Sequence, residues 1–125
     1  MRVSIVIPAF NEGNYLPETL GAAHEARAVL AQAGWASEVV VCDNNSTDAT
    51  AALAKANGAR VVYEPFNQIA ASRYAAGRAA KGEWLVFVDA DTHVSPRLFR
   101  EMMRAMVRDD CLGGGCRVTF DSGPW

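Results

Sequence analysis

Three observations predict an α/β protein built as a three-layer, mostly parallel, doubly wound sheet. Strand-like runs at Val3–Ile7, Glu38–Cys42, Arg60–Tyr63 and Trp84–Val88 alternate with stretches of helical periodicity. The runs are short and strongly apolar, as expected of strands covered on both faces. Polar residues gather directly after three of them: Asn11 and Glu12, then Asp43, then Asp89 and Asp91. Open α/β sheets bind ligands outside the carboxyl ends of their strands, so these positions form one candidate site.

Each element has a local reason. Strand one, Val3–Ile7, is ended by Pro8, and Pro8-Ala9-Phe10-Asn11-Glu12-Gly13 leads into a helix from about Tyr15 to Ala33. Leu16, Leu20, Ala23, Arg27 and Leu30 recur there at helical spacing, and Gly34 stops the helix. Strand two, Glu38–Cys42, precedes Asp43-Asn44-Asn45-Ser46-Thr47-Asp48, in which Ser46 or Thr47 is expected to cap a helix over Asp48–Ala56. Asn57-Gly58 closes that helix with a left-handed stop. Strand three is Arg60–Tyr63, and after the loop Glu64-Pro65-Phe66-Asn67 a helix runs over Gln68–Ala80, ended by Lys81-Gly82. Ser95-Pro96 starts a helix over 96–108, with Pro96 at its first position and Phe99, Met102, Met103, Met106 and Val107 as a core-facing stripe. Gly113-Gly114-Gly115 then turns into a last strand, Cys116–Phe120.

Composition narrows the class. A chain of 125 residues, 50% hydrophobic and 21% charged, reads as a single globular domain over 1–125. A net charge of −2 with scattered basic residues carries no footprint for nucleic acid. No apolar run approaches the roughly 18 residues of a membrane span, and Met1-Arg2 leads straight into a strand rather than a signal peptide. The three cysteines make no metal or disulfide framework: Cys42 reads as a small core residue, and Cys111 and Cys116 lack partners that would complete four ligands. A cytoplasmic location is expected.

The run Trp84-Leu85-Val86-Phe87-Val88-Asp89-Ala90-Asp91 carries the most chemistry. A buried strand delivers two carboxylates one residue apart, which converge on one point unless the chain turns between them. Repelling carboxylates with reduced hydration call for a cation, and a hard divalent ion whose shell is completed by phosphate oxygens suits them.

Val-Ser-Ile-Val-Ile-Pro-Ala-Phe-Asn-Glu at 3–12, Val-Val-Val-Cys-Asp-Asn-Asn-Ser-Thr-Asp-Ala-Thr at 39–50 and Gly-Glu-Trp-Leu-Val-Phe-Val-Asp-Ala-Asp at 82–91 together resemble family 2 glycosyltransferases. The resemblance covers about residues 3–120, in the family's order and spacing. It implies the GT-A, nucleotide-diphospho-sugar transferase-like fold, strand order 3-2-1-4, and a nucleotide-diphosphate sugar as donor. A dinucleotide site is disfavoured because no Gly-x-Gly-x-x-Gly follows strand one. By resemblance, Pro8, Ala9 and Phe10 line the base pocket and Glu12 faces the nucleoside. Asp43 accepts from a base N–H or caps the Asn44–Asp48 turn. Asp89 reaches the ribose and the metal, and Asp91 coordinates Mn2+ or Mg2+ directly. Arg73 points to the nucleotide or is a surface arginine. His93 supports the acidic pair or is a solvated loop residue, while Asn45 reads as a turn residue and His24 as structural or solvent-facing.

The implied reaction is metal-dependent, inverting glycosyl transfer to an unidentified acceptor. In the family the acceptor base lies beyond the strand corresponding to 116–120, and Asp121, the one carboxylate after it here, matches no base motif. The chain therefore reads as the N-terminal, donor-binding portion, truncated before the acceptor half. A non-catalytic nucleotide-binding or interaction module derived from the same fold is the alternative. Without the acceptor half, helix 96–108 and strand Cys116–Phe120 are expected to leave apolar surface and a sheet edge uncovered, favouring a homodimer.

Overall fold

In the computed structural model, which describes residues 1–108 and 111–115, eight elements alternate along the chain. They are β1 (Arg2–Ala9), α1 (Leu16–Gln32), β2 (Ala36–Asp43), α2 (Thr50–Ala56), β3 (Arg60–Tyr63), α3 (Ile69–Ala79), β4 (Trp84–Phe87) and α4 (Pro96–Met106). The four strands form one parallel sheet in the order β3-β2-β1-β4. The expected last strand Cys116–Phe120, with Asp121, lies outside the described residues.

Two apolar layers sandwich the sheet. Val3, Ile5, Ile7 and Ala9 of β1, with Val39 and Val41 of β2, meet Leu16, Leu20, Ala23, Ala26 and Leu30 of α1, Ala54 of α2, and Phe99 and Met106 of α4. On the opposite face Val6 and Cys42 meet Ala76 of α3. Leu16, Leu20 and Leu30 are fully buried, and each such side chain contributes about 1.5–3 kcal/mol relative to exposure. Arg27 is not part of the stripe expected for α1: its guanidinium leaves the core to bond Ser37 Oγ and O at 2.8 Å, and Ala26 takes the inward place.

The α4 stripe packs inward as expected through Phe99, Met106 and half-buried Met102 and Met103, although Val107 is exposed. The Met-rich helix therefore does not supply the uncovered apolar face on which the homodimer was expected. Ser95 caps α4, its Oγ accepting from Leu98 N at 3.1 Å, with Pro96 in the first turn. Gly34 and Gly58 take positive φ, 79° and 82°, at the two helix stops. Among the described residues, no helix is long and apolar enough to cross a membrane.

Strand four departs from the fully buried reading. Its burial alternates, with Trp84 and Val86 packed into the core and Leu85 and Phe87 exposed. It is one of the two edge strands among those described, and α3, the helix on that face among the described residues, lies nearer β1 and β2. Strand one runs past its expected end, and Pro8 sits within it opposite Cys42. Even-numbered β1 residues turn their peptide groups toward β4, as Glu83 N donating to Arg2 O and Val88 N to Val6 O establish. Pro8 thus has no N–H for β4, and the β1–β4 register ends at Val6↔Phe87. Beyond that rung the two strands have no ladder to hold them together.

A polar knot secures the other end. Glu38 accepts from Ser4 Oγ, Lys81 N and Arg60 Nη2, each at 2.7 Å, while Gly82 N donates to Ser4 Oγ at 2.8 Å. A Cβ on Gly82 would lie 2.6 Å from Ser4 N, so the backbone approach there needs glycine.

Candidate donor-binding site

The loops leaving the carboxyl ends of β1, β2 and β3 are interlocked. Asn11, at φ 51°, donates its N–H to Ser46 Oγ at 3.0 Å and accepts from Thr47 N at 2.8 Å. Glu12 N donates to Thr50 Oγ1 at 3.1 Å, and Gly13 N to Asp48 Oδ2 at 3.1 Å. These bonds correct the expected start of α2. Ser46 and Thr47 serve Asn11 rather than the helix, which begins at Thr50 with Asp48 Oδ1 accepting from Thr50 N at 2.9 Å. Asn44 ties the next pair of loops, donating from Nδ2 to Glu64 O at 3.0 Å and Phe66 O at 2.6 Å. Asn45, at φ 60°, is a turn residue as read; it accepts from Tyr63 Oη and donates to Asn67 Oδ1.

The Asp89-Ala90-Asp91 segment is a turn, not a continued strand. Strand four ends at Phe87, Val88 N makes the last bond to Val6 O, and Thr92 N closes back on Asp89 O at 3.0 Å. The two carboxylates are therefore not aimed by strand alternation; the turn presents both to solvent while Val88 and Ala90 stay buried.

Turn, β1 exit and α3 surround a cleft of about 360 Å3. Pro8, Ala9, Phe10, Glu12, Asp89 and Asp91 all line it, and Asn44, Ile69, Ser72 and Ala90 complete the wall. It lies where the β1–β4 ladder ends. A second hollow, of about 480 Å3 and lined by Glu64, Tyr74, Ala75, Arg78 and Ala79, lacks a comparable set of polar groups.

Other candidates are not on the cleft wall itself. Asp43 is buried beside it, its Oδ1 accepting from Ser46 N at 3.0 Å, which is the turn-capping geometry. Arg73 is exposed, with Nη2 3.6 Å from Asp89 Oδ1. His93 points elsewhere, its Nε2 3.7 Å from Glu18 Oε2. His24 is structural, bridging Asn57 O at 2.6 Å and Arg27 Nη1 at 3.0 Å. Asn44 and Ser72 were not singled out by sequence; an asparagine in a polar turn and a serine on a helix carry no local signal of a cleft.

The electrostatics of the cleft are negative. Burial raises the Glu12 carboxyl above its ordinary range, and the charges of Asp91, Asp48 and Asp89 push it the same way. Among the described residues no three His, Cys, Asp or Glu side chains converge to hold a metal ion by themselves.

Comparison with known proteins agrees with this architecture. An uncharacterized glycosyltransferase of Rickettsia bellii is 35% identical over 81 residues, 65% of this chain and 28% of that protein. One from Mycobacterium bovis is 36% identical over 104 residues, 80% of this chain and 43% of the relative. The chain thus spans less than half the length of these relatives. Among solved structures, TarS of S. aureus superposes with a TM-score of 0.71 at 25% identity, over 85% of this chain and 32% of that one. Glucosyl-3-phosphoglycerate synthase from Mycobacterium tuberculosis, solved with Mn2+, UDP and glucosyl-3-phosphoglycerate, gives 0.68 at 25% identity, over 86% and 40%. The sheet and its flanking helices are those of the GT-A fold. Glycosyl transferase family 2 matches residues 4–125, nearly the full sequence, and the chain belongs to that family.

Proposed function

We propose that the protein transfers a sugar from a nucleotide-diphosphate sugar seated in this cleft, with a divalent cation, Mn2+ or Mg2+, held between the diphosphate and Asp91 and Asp89. The observation that carries the reading is the meeting of Pro8, Ala9, Phe10, Glu12, Asp89 and Asp91, from distant parts of the sequence, on one cleft where the β1–β4 ladder ends. Family membership and the Mn2+ and UDP bound by the mycobacterial synthase support it.

The donor set suits such an ion. Asp89 and Asp91 offer hard carboxylate oxygens on an exposed turn, and phosphate oxygens and water would fill the remaining positions. Burial is the main cause of the raised Glu12 carboxyl, and Asp91, Asp48 and Asp89 add negative charge that a cation would offset. When bound, the cation would neutralise charge developing on the departing nucleoside diphosphate.

The chain's own residues do the rest. Pro8, Ala9 and Phe10 line the base side, and Glu12 faces the nucleoside. Asp43 keeps Oδ2 as an acceptor for a base N–H while Oδ1 holds Ser46. Arg73 exchanges its long contact with Asp89 for the anionic donor. Displacement at the anomeric carbon with inversion needs a carboxylate to take the acceptor's proton. Glu12, Asp89 and Asp91 face the donor, so none of these three is assigned as that base.

Isothermal titration with UDP and GDP, with and without Mn2+, tests the assignment. Wild-type protein should bind more tightly with the metal, and Asp91→Asn should weaken the metal-dependent binding at least tenfold, about 1.4 kcal/mol. A folded Asp91→Asn variant with unchanged affinity would refute the role of the carboxylate pair.

A further inference from the structure

We infer that Thr19 is a positioning residue for the Asp89–Asp91 turn, an inference that rests on the donor-site reading above. Thr19 lies in the first turns of α1, fully buried between Leu16 and Leu20. Its hydroxyl donates to Ala90 O at 2.5 Å, across 71 residues of sequence, and more weakly to Tyr15 O within its own helix at 3.2 Å. Ala90 is the residue between the two carboxylates, and it is buried.

Nothing else described holds the carboxylates in direction. Neither accepts a hydrogen bond among the described residues; the Arg73 contact to Asp89 is 3.6 Å long, between exposed groups. Their aim is set by the backbone of the turn, and that backbone has three ties. Val88 N to Val6 O anchors its start, and Thr92 N to Asp89 O closes it. Thr19 Oγ1 to Ala90 O is the third, and among the described residues it is the hydrogen bond that holds the Ala90–Asp91 peptide plane. A buried carbonyl deprived of its donor is costly, so without the hydroxyl this plane turns to find another partner. Rotation there changes ψ of Ala90 and φ of Asp91, which redirects Asp91 more than Asp89. Helix α1, otherwise a packing element, is by this bond part of the metal-facing architecture.

Thr19→Val removes the hydroxyl at nearly constant shape, and Thr19→Ser keeps it. In the ligand-free full chain, Thr19→Val should shift the amide resonances of residues 89–92 and speed hydrogen exchange at Thr92, with Thr19→Ser close to wild type. In titrations, Thr19→Val should lower the Mn2+-dependent part of UDP affinity about tenfold and leave metal-free UDP affinity unchanged. On an Asp91→Asn background, Thr19→Val should add nothing. If valine is not accommodated, comparing Thr19→Ser with Thr19→Ala isolates the hydroxyl equally. Unchanged amides at 89–92, or a serine variant that behaves like valine, would overturn the inference. A wild-type protein without Mn2+-dependent UDP binding would instead overturn the donor-site reading, and the amide signals would still decide whether Thr19 fixes the turn.

Discussion

Replacing Glu38 by glutamine probes the knot that holds the amino edge of the sheet, and its effect can be worked from the contacts. Burial of Glu38 raises its carboxyl pKa, but hydrogen bonds from Arg60, Ser4 and Lys81 outweigh that and hold it at about 2, against an ordinary 4.5. The side chain is 20% exposed; Arg60 makes the strongest of the lowering contacts, and because its guanidinium is 39% exposed, solvent screens part of that effect. A carboxyl whose folded pKa is depressed stabilises the fold fully above its unfolded value. That contribution is lost as pH falls from about 4.5 toward 2. At about 1.36 kcal/mol per pH unit the whole displacement corresponds to ~3 kcal/mol. Glutamine keeps the shape and one acceptor oxygen, so the expected loss at neutral pH is roughly 2–3 kcal/mol. Urea unfolding of both proteins across the acid range is the assay. Wild type should lead by that margin at neutral pH, and the two should converge as the medium approaches the folded pKa. Nucleotide affinity should not change, because the knot sits at the opposite end of the strands from the cleft. A stability difference that does not vary with pH, or no difference at neutral pH, would refute the assignment of charge-assisted bonding to Glu38.

Two further outcomes are expected. Asp43→Ala should weaken nucleotide binding with or without metal by about one to two decades, through loss of a charge-assisted bond worth roughly 1.5–3 kcal/mol; a lower melting temperature with unchanged affinity would leave Asp43 as the Ser46 turn cap alone. Glu12→Gln should raise stability at neutral pH, because ionised Glu12 is penalised by burial and by Asp91, Asp48 and Asp89. That gain should vanish below about pH 4.5, where the carboxyl is protonated in folded and unfolded chains alike, and thermal melts at two pH values check it.

The order and type of the elements were legible in the sequence wherever the cause is local. Arg60–Tyr63 is a strand with the expected bounds, Ser95-Pro96 starts α4, and Gly34 and Gly58 stop their helices at positive φ. These outcomes depend on a residue's own backbone preference or on neighbours within one turn. The tertiary structure decided the rest. Ser46 and Thr47 looked like caps for the helix beside them, but a loop 35 residues earlier claims them through Asn11. Leu85 and Phe87 looked buried, and exposure followed from the strand's place at the sheet edge.

The candidate site divides in the same way. The sequence alone singled out Asp89 and Asp91 as the chemistry-bearing pair, since two carboxylates after an apolar run form a pattern visible within eight residues. How they are presented was not visible there, because the strand ends at Phe87 and a turn takes over. Pro8 was read as the end of strand one, but that strand continues through Ala9 in pairing with β2; what stops at Pro8 is the ladder with β4, far along the chain. Asn44 and Thr19 are unremarkable in one dimension and acquire roles only through Phe66 and Ala90. Local chemistry and hydrophobic period are written in consecutive residues, whereas a cleft and the bonds that aim its side chains exist only once distant segments are packed together.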